Sequence, residues 1–197
     1  MAEKNATRQR ILEAVVTCTE KYGVDKVTTR KIALEAGTNI ASINYHFRSK
    51  DELMAEALSM TIHHMMEDVF ASIDDTCVPF LAAFENVIFY LLDGSRTFPG
   101  MTRAHLYPAV VQRDESSISA KAMMRVFDRL CKRAVQEYAA KDAGMIRFTI
   151  SEIMSSVLFS LLAPGFFPVP QAYQPSGSKS ARSVARQYVR LFAAMLG

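Results

Sequence analysis

Cysteine is scarce in this 197-residue chain, and the three present, Cys18, Cys77 and Cys131, are far apart and odd in number. They form no C-x-x-C pair, which excludes a disulfide framework and a zinc site and leaves buried thiols in a reducing compartment. The motifs of catalysis are absent too: there is no G-x-S-x-G, no phosphate-binding P-loop, no G-x-G-x-x-G and no H-E-x-x-H. Four histidines are present, not clustered with carboxylates or cysteines at ligand spacing, and the adjacent His63 and His64 would point about 100° apart on a helix. No catalytic residue, metal or cofactor is therefore expected. The first 13 residues lack the hydrophobic run of a signal peptide. The longest apolar stretch, 157–169, is broken by Ser160 and Pro164 and falls short of the ~20 residues a membrane span needs. A soluble, cytoplasmic protein with no membrane partner is the expectation. No internal repeat and no hairpin signal occurs.

What is present reads as helix. Half the residues are apolar and 22% are charged, an ordinary globular balance. The net charge of +3 is unevenly spread: residues 1–50 hold nine basic and five acidic side chains, so the head carries +4 and the body −1. A basic head on a near-neutral body points to a polyanionic partner at the head. Ile11, Val15, Cys18 and Tyr22 form one stripe of an amphipathic helix, which Gly23 stops. Thr28 is a good N-cap for a short second helix holding Ile32, Ala33 and Ala36, and Gly37 breaks it. Asn39 can cap a third helix, 40–45, with Ile43 and Phe47 turned inward. Ser49 to Glu52 reads as a capping box opening a fourth. Three short helices split by single glycines have the geometry of a helix-turn-helix.

Behind this head the sequence predicts helices over 80–92, ended by Asp93-Gly94, and 101–112, bent or interrupted near Pro108. Further helices are predicted over 119–140, 148–163 and 181–196, with a Pro/Gly/Ser-rich loop over 164–179. The fold class is all-α: a helix-turn-helix domain at 1–48, a connecting helix at 49–66, and a helical ligand-binding and dimerisation domain at 67–197.

The segment from Thr28 to Leu53, TTRKIALEAGTNIASINYHFRSKDEL, closely resembles the DNA-binding region of the tetracycline-repressor (TetR) family. The markers are Ile32-Ala33, Ala36-Gly37, the aromatics within Asn44-Tyr45-His46-Phe47, and Ser49-Lys50 before Glu52-Leu53, and the likeness spans roughly residues 7–58. It implies DNA contacts from Thr28, Thr29, Arg30, Asn39, Ser42, Asn44, Tyr45, His46 and Lys50. The chain departs from many relatives at Ile40 and Ala41, where a basic residue or proline and then a glycine are common. Physical chemistry supports the placement. A recognition helix must bury one side and offer short polar groups on the other. Asn44 can bond adenine bidentately, and Ala41 leaves room for close approach or a thymine methyl. The start of the second helix, with Thr28 and Thr29, can hold a phosphate, and Arg30 and Lys50 add charge-assisted contacts.

For the body, the resemblance implies a two-fold dimer through the last two helices. Ile153, Met154, Val157, Leu161, Val184, Tyr188, Leu191 and Phe192 are the candidate interface. Eleven methionines and twelve phenylalanines suit an adaptable apolar pocket. Its candidate lining is Met66, Phe84, Phe89, Met101, Met123, Phe127 and Phe159, with Arg103, His105 and Tyr107 as polar contacts. The reading is a ligand-responsive repressor, binding a palindromic double-stranded DNA operator as a homodimer and released by a small apolar or amphipathic effector. A constitutive DNA-binding accessory factor without an effector is the competing reading.

Overall fold

The computed structural model describes residues 2–166 and 176–196. Among them are nine α-helices and no strand. In chain order these are α1 (Ala2–Tyr22), α2 (Thr29–Glu35), α3 (Ile40–His46), α4 (Lys50–Asp74), α5 (Phe80–Thr97), α6 (Pro99–Val110), α7 (Ile118–Glu137), α8 (Ala143–Leu162) and α9 (Ser178–Leu196). A single 3₁₀ turn, Val24–Lys26, links α1 to α2.

Local chemistry sets most boundaries. Thr28, Asn39, Ser49, Ser117 and Asp142 each accept a hydrogen bond from the backbone N–H three residues on, which satisfies an orphan donor of the first turn. Glu52 completes the box at α4 by accepting from the Arg48 N–H at 2.8 Å, one residue ahead of the cap itself. Gly23 (φ 81°) and Gly37 (φ 61°) sit in the left-handed region that glycine enters at no steric cost, so α1 and α2 can end within one residue.

Two apolar clusters organise the chain. The first joins Ile11, Val15 and Cys18 of α1 to Ile32, Ile43, Phe47, Leu53 and Ala57. The second surrounds α5 and takes residues from α4, α7, α8 and α9. Helix α4 serves both, giving Leu53, Met54 and Ala57 to one and Ile62, Met66, Val69 and Ile73 to the other, and it runs on to Asp74 rather than stopping at 66. At the far end of α4, α7 fixes the corner. Arg133 donates to the Ile73 carbonyl (2.6 Å) and to that of Val78, while the Glu137 carboxylate accepts from the Phe80 N–H (2.8 Å), the first donor of α5.

Several sequence expectations change here. Helix α5 passes through Asp93-Gly94 to Thr97, because Asp93 is tied across the turn to Arg96 (3.0 Å) and to Ser178 of α9 (2.8 Å), and Gly94 keeps helical backbone angles. Helix α6 continues through Pro108 to Val110. Phe84, a pocket candidate, is instead fully buried in an aromatic cluster with Phe80 (centroids 5.5 Å apart) and Phe192 (5.6 Å). Phe192, an interface candidate, is therefore core of its own chain, and so are Ile153, Met154 and Val157 on the inner face of α8. A helix buried on one side only leaves other apolar residues outside: Met145, Phe148 and Phe159 on α8, Leu191 and Met195 on α9. By length and composition α8 is apolar enough to cross a membrane; the apolar stretch counted from 157 covers only its C-terminal end. Of the loop expected over 164–179, residues 167–175 lie outside the described residues, and α9 already begins at Ser178.

Candidate nucleic-acid interface and effector cavity

The two seven-residue helices, α2 and α3, carry the outward side of the head. Ile43 and Phe47 are pulled into the first cluster, with 1% and 2% exposure, and this turns the rest of α3 outward. Asn39, Ala41 and Asn44 are exposed, Ser42 and His46 half-buried, and Tyr45 is 70% exposed. Ile40, at 45%, stands outside the cluster and offers a methyl-bearing surface beside Ala41. The His46 ring meets Tyr45 edge-on (centroids 5.2 Å) and leans on Phe47, with a buried Nδ1 that has no hydrogen-bond partner among the described residues.

Around α3, Thr28 and Arg30 are exposed at the start of α2, with Thr29 and Lys50 half-buried. No acidic side chain lies between Thr38 and Lys50. Two other cations of the head are engaged structurally: Lys31 donates to the Lys26 carbonyl (2.8 Å) over the Tyr22 ring, and Arg8 pairs with Glu56 over the Phe47 ring. The outward side of α3 is thus free of acids and, beside Ile40 and Tyr45, made of small polar side chains, about the width of one helix, which suits a DNA major groove.

The body holds a cavity of about 540 Å³, within the range of small-molecule sites. All of α4 to α8 contribute, and Val16 of α1 touches it from the head. Met101, His105 and Met123, expected in the pocket, line it, and so does Leu161, expected at the dimer face. The other pocket candidates lie elsewhere. Met66 and Phe84 are core, and Phe89 is covered by the Arg182 guanidinium at 3.7 Å. Phe127 lies under Arg147, Phe159 is exposed beside Phe166, and Arg103 and Tyr107 do not line the space. Amphipathic spacing identifies which residues are buried, but not whether a void or a neighbour meets them.

His105 is the polar centre of the cavity. Its Nε2 lies 2.9 Å from Thr61 Oγ1 and its Nδ1 3.0 Å from Ser119 Oγ. Burial drives its pKa from 6.5 down to about 4, so the ring is neutral at physiological pH. In the unfolded chain it protonates near 6.5, so folding stability contributed by the neutral ring is present above that value and is lost as pH falls toward 4. At pH 5 the loss is about 2 kcal/mol. Denaturant titrations at pH 7.5 and pH 5 should show this loss in the native protein and a smaller one in His105→Gln; equal losses in the two would place the acid sensitivity elsewhere.

Sequence reasoning missed the clamp between head and body. Glu20 of α1 reaches the N-terminus of α6, where its carboxylate accepts from the Gly100 N–H (2.8 Å) and the Met101 N–H (2.6 Å). Gly100 is pressed so closely on α1 that an added Cβ would lie 2.7 Å from the Thr19 carbonyl oxygen and 2.9 Å from the Glu20 Cα. The signal was in plain view in Pro99, which opens a helix at its N1 position and leaves donors seeking an anion. The Pro99-Gly100 pair reads equally as a turn.

Comparison with known proteins follows the same lines. Residues 11–57 match the family model described as bacterial regulatory proteins, tetR family. The HTH-type transcriptional repressor KstR2 of Rhodococcus jostii (strain RHA1) is 23% identical, over 95% of this chain and 90% of its own. Among solved structures, the fold is shared with the transcriptional regulator FadR from Bacillus subtilis, in complex with stearoyl-CoA (TM-score 0.69, 14% identity, 96% of this chain and 99% of that one). It is shared also with the TetR family regulator PfmR from Thermus thermophilus (TM-score 0.67, 17% identity, 93% and 96%).

Proposed function

We propose that this chain, whose residues 11–57 match the tetR family model, is a transcriptional regulator of that family and not an enzyme: a homodimeric, ligand-responsive repressor acting on a palindromic operator. The observation that carries the DNA contact is the face of α3, acid-free and polar outside while Ile43 and Phe47 anchor it inside. Thr28, Thr29, Arg30 and Lys50 hold the phosphate backbone, and Asn39, Ala41, Ser42, Asn44, Tyr45 and His46 meet base edges and flanking phosphates. A DNA partner implies action in the cytoplasm.

The division of labour follows the two apolar clusters: a DNA-reading head at 1–48, α4 as the connection, and an effector-binding and dimerising body. The outer apolar residues of α8 and α9, Met145, Phe148, Leu191 and Met195 with the half-buried Val184 and Tyr188, support a four-helix interface with a second copy. Two-fold symmetry then requires a palindromic site. An effector in the cavity shifts the population toward a body conformation that spaces the heads wrongly, by a coupling typically of about 1–3 kcal/mol. Two physical links carry it, α4 and the Glu20 clamp onto α6.

The test is a pair of substitutions read by binding at several salt concentrations. Lys50→Ala weakens binding to specific and unrelated duplexes alike and lowers the salt slope by about 1 for each head engaged. Asn44→Ala leaves the slope unchanged and blunts preference at particular base pairs, by about 1–3 kcal/mol each. Indifference of DNA affinity to both would remove α3 from the interface and return the chain to the accessory-factor reading.

A further inference from the structure

The hydroxyls around His105 have an order. Thr61 Oγ1 lies 3.1 Å from two carbonyl oxygens of its own helix, those of Ala57 and Leu58, and we assign its one hydrogen to them. Towards His105 it is then an acceptor, which places the ring hydrogen on Nε2. A neutral imidazole with hydrogen on Nε2 has a bare Nδ1, and the Ser119 hydroxyl donates to it. Every hydrogen of the Ser119–His105–Thr61 chain is committed. What remains on this chain is acceptor capacity alone: both lone pairs on Ser119 Oγ and one on Thr61 Oγ1, two residues that line the cavity.

The charges at the cavity agree. Among the described residues that line it there are two carboxylates, Asp68 and Asp93, and neither lysine nor arginine; residues 167–175 carry no charged residue in sequence either. Burial pulls the Asp93 pKa up, but hydrogen bonds from Ser178 and Arg96 outweigh it and hold the carboxyl ionised, with the Arg96 charge already matched by it. A buried anion in the cavity would find no cation.

From these two observations we propose that the effector is an uncharged, apolar molecule bearing a hydroxyl, an alcohol or a phenol, whose O–H donates to Ser119 Oγ while its hydrocarbon lies among Met65, Leu91, Met101, Met123 and Leu158. The proposal rests on the reading of the cavity as the effector site. It separates this protein from the relative solved with an acyl-CoA, whose ligand carries several negative charges.

Titration calorimetry of the full-length protein at pH 7.5 with two matched probes, 1-decanol and decanoate, tests it. The alcohol binds at least about tenfold more tightly than the carboxylate. Ser119→Ala weakens 1-decanol by about tenfold and leaves decanoate where it was. Asp68 is exposed at the cavity, so Asp68→Lys is a surface change that the fold tolerates, and it tightens decanoate a few-fold without affecting 1-decanol. Decanoate binding as tightly as 1-decanol, or an alcohol affinity indifferent to Ser119→Ala, overturns the ligand class while leaving the cavity as an effector site. Failure of both probes to bind overturns the class and the effector site together.

Discussion

Ala41→Glu lowers operator affinity at least about 100-fold while the thermal unfolding of the protein stays unchanged. Ala41 is exposed, on a helix face whose inner side is held by Ile43, so the longer side chain meets no neighbour and costs the fold nothing beyond a small difference in propensity. In a groove, the new carboxylate faces phosphates within a few ångströms. A like-charge contact there costs about 1 kcal/mol if fully solvated and about 4 at the partial desolvation of an interface. A dimer suffers it twice. Gel-shift or anisotropy measurements with the unchanged operator read the loss directly, and circular dichroism melting supplies the control. An affinity reduced by less than a factor of about three would mean that α3 does not enter the groove.

Two glycine-to-alanine substitutions six positions apart should act with opposite sign. At Gly100, the Cβ would stand 2.7 Å from a backbone carbonyl and 2.9 Å from a backbone Cα of α1, neither of which can turn away as a side-chain tip would. Helices α1 and α6 must separate, and the two hydrogen bonds of Glu20 lengthen or break. Overpacking of this kind costs about 1–3 kcal/mol, and weakened charge-assisted bonds raise the sum to roughly 2–4 kcal/mol. For a chain of this length that is a fall in Tm of about 5–15 °C. Gly94, inside α5 and beside the cavity, has nothing within 4 Å of its would-be Cβ and keeps helical angles. Gly94→Ala therefore stabilises by about 0.5–1 kcal/mol, as alanine does in a helix interior. Gly100→Ala also loosens the link from cavity to head, so its DNA affinity responds less to effector than that of the native protein. Melting curves that shift the same way for both variants would contradict the close packing of α6 on α1.

The head was legible because its determinants are local. Caps at Thr28, Asn39 and Ser49, glycine stops at 23 and 37, and the inward Ile43 and Phe47 each act within a turn or two of chain, so sequence spacing carries them. The body was less legible, because long-range partners decide its details. Asp93-Gly94 reads as a helix stop until Ser178, 85 residues on, and Arg96 hold Asp93 in place. Phe192 and Phe84 read as dimer interface and pocket until they meet in one aromatic cluster. Apolar periodicity predicts that a side chain is buried; whether against its own chain, a second copy or a ligand depends on packing between distant helices. That is why Leu161 moved from interface to cavity and why four interface candidates proved to be core. The Glu20 clamp joins residues 80 apart and leaves no pattern in either segment alone.

Selection of duplexes from a random DNA pool by the purified full-length protein, at moderate salt, is the most direct test of the central claim. The account predicts recovery of one short palindrome, bound by two copies, with half-site preferences that weaken specifically in Asn44→Ala. Recovery of no common sequence, or of sequences held only by salt-labile, non-specific attraction, would contradict it.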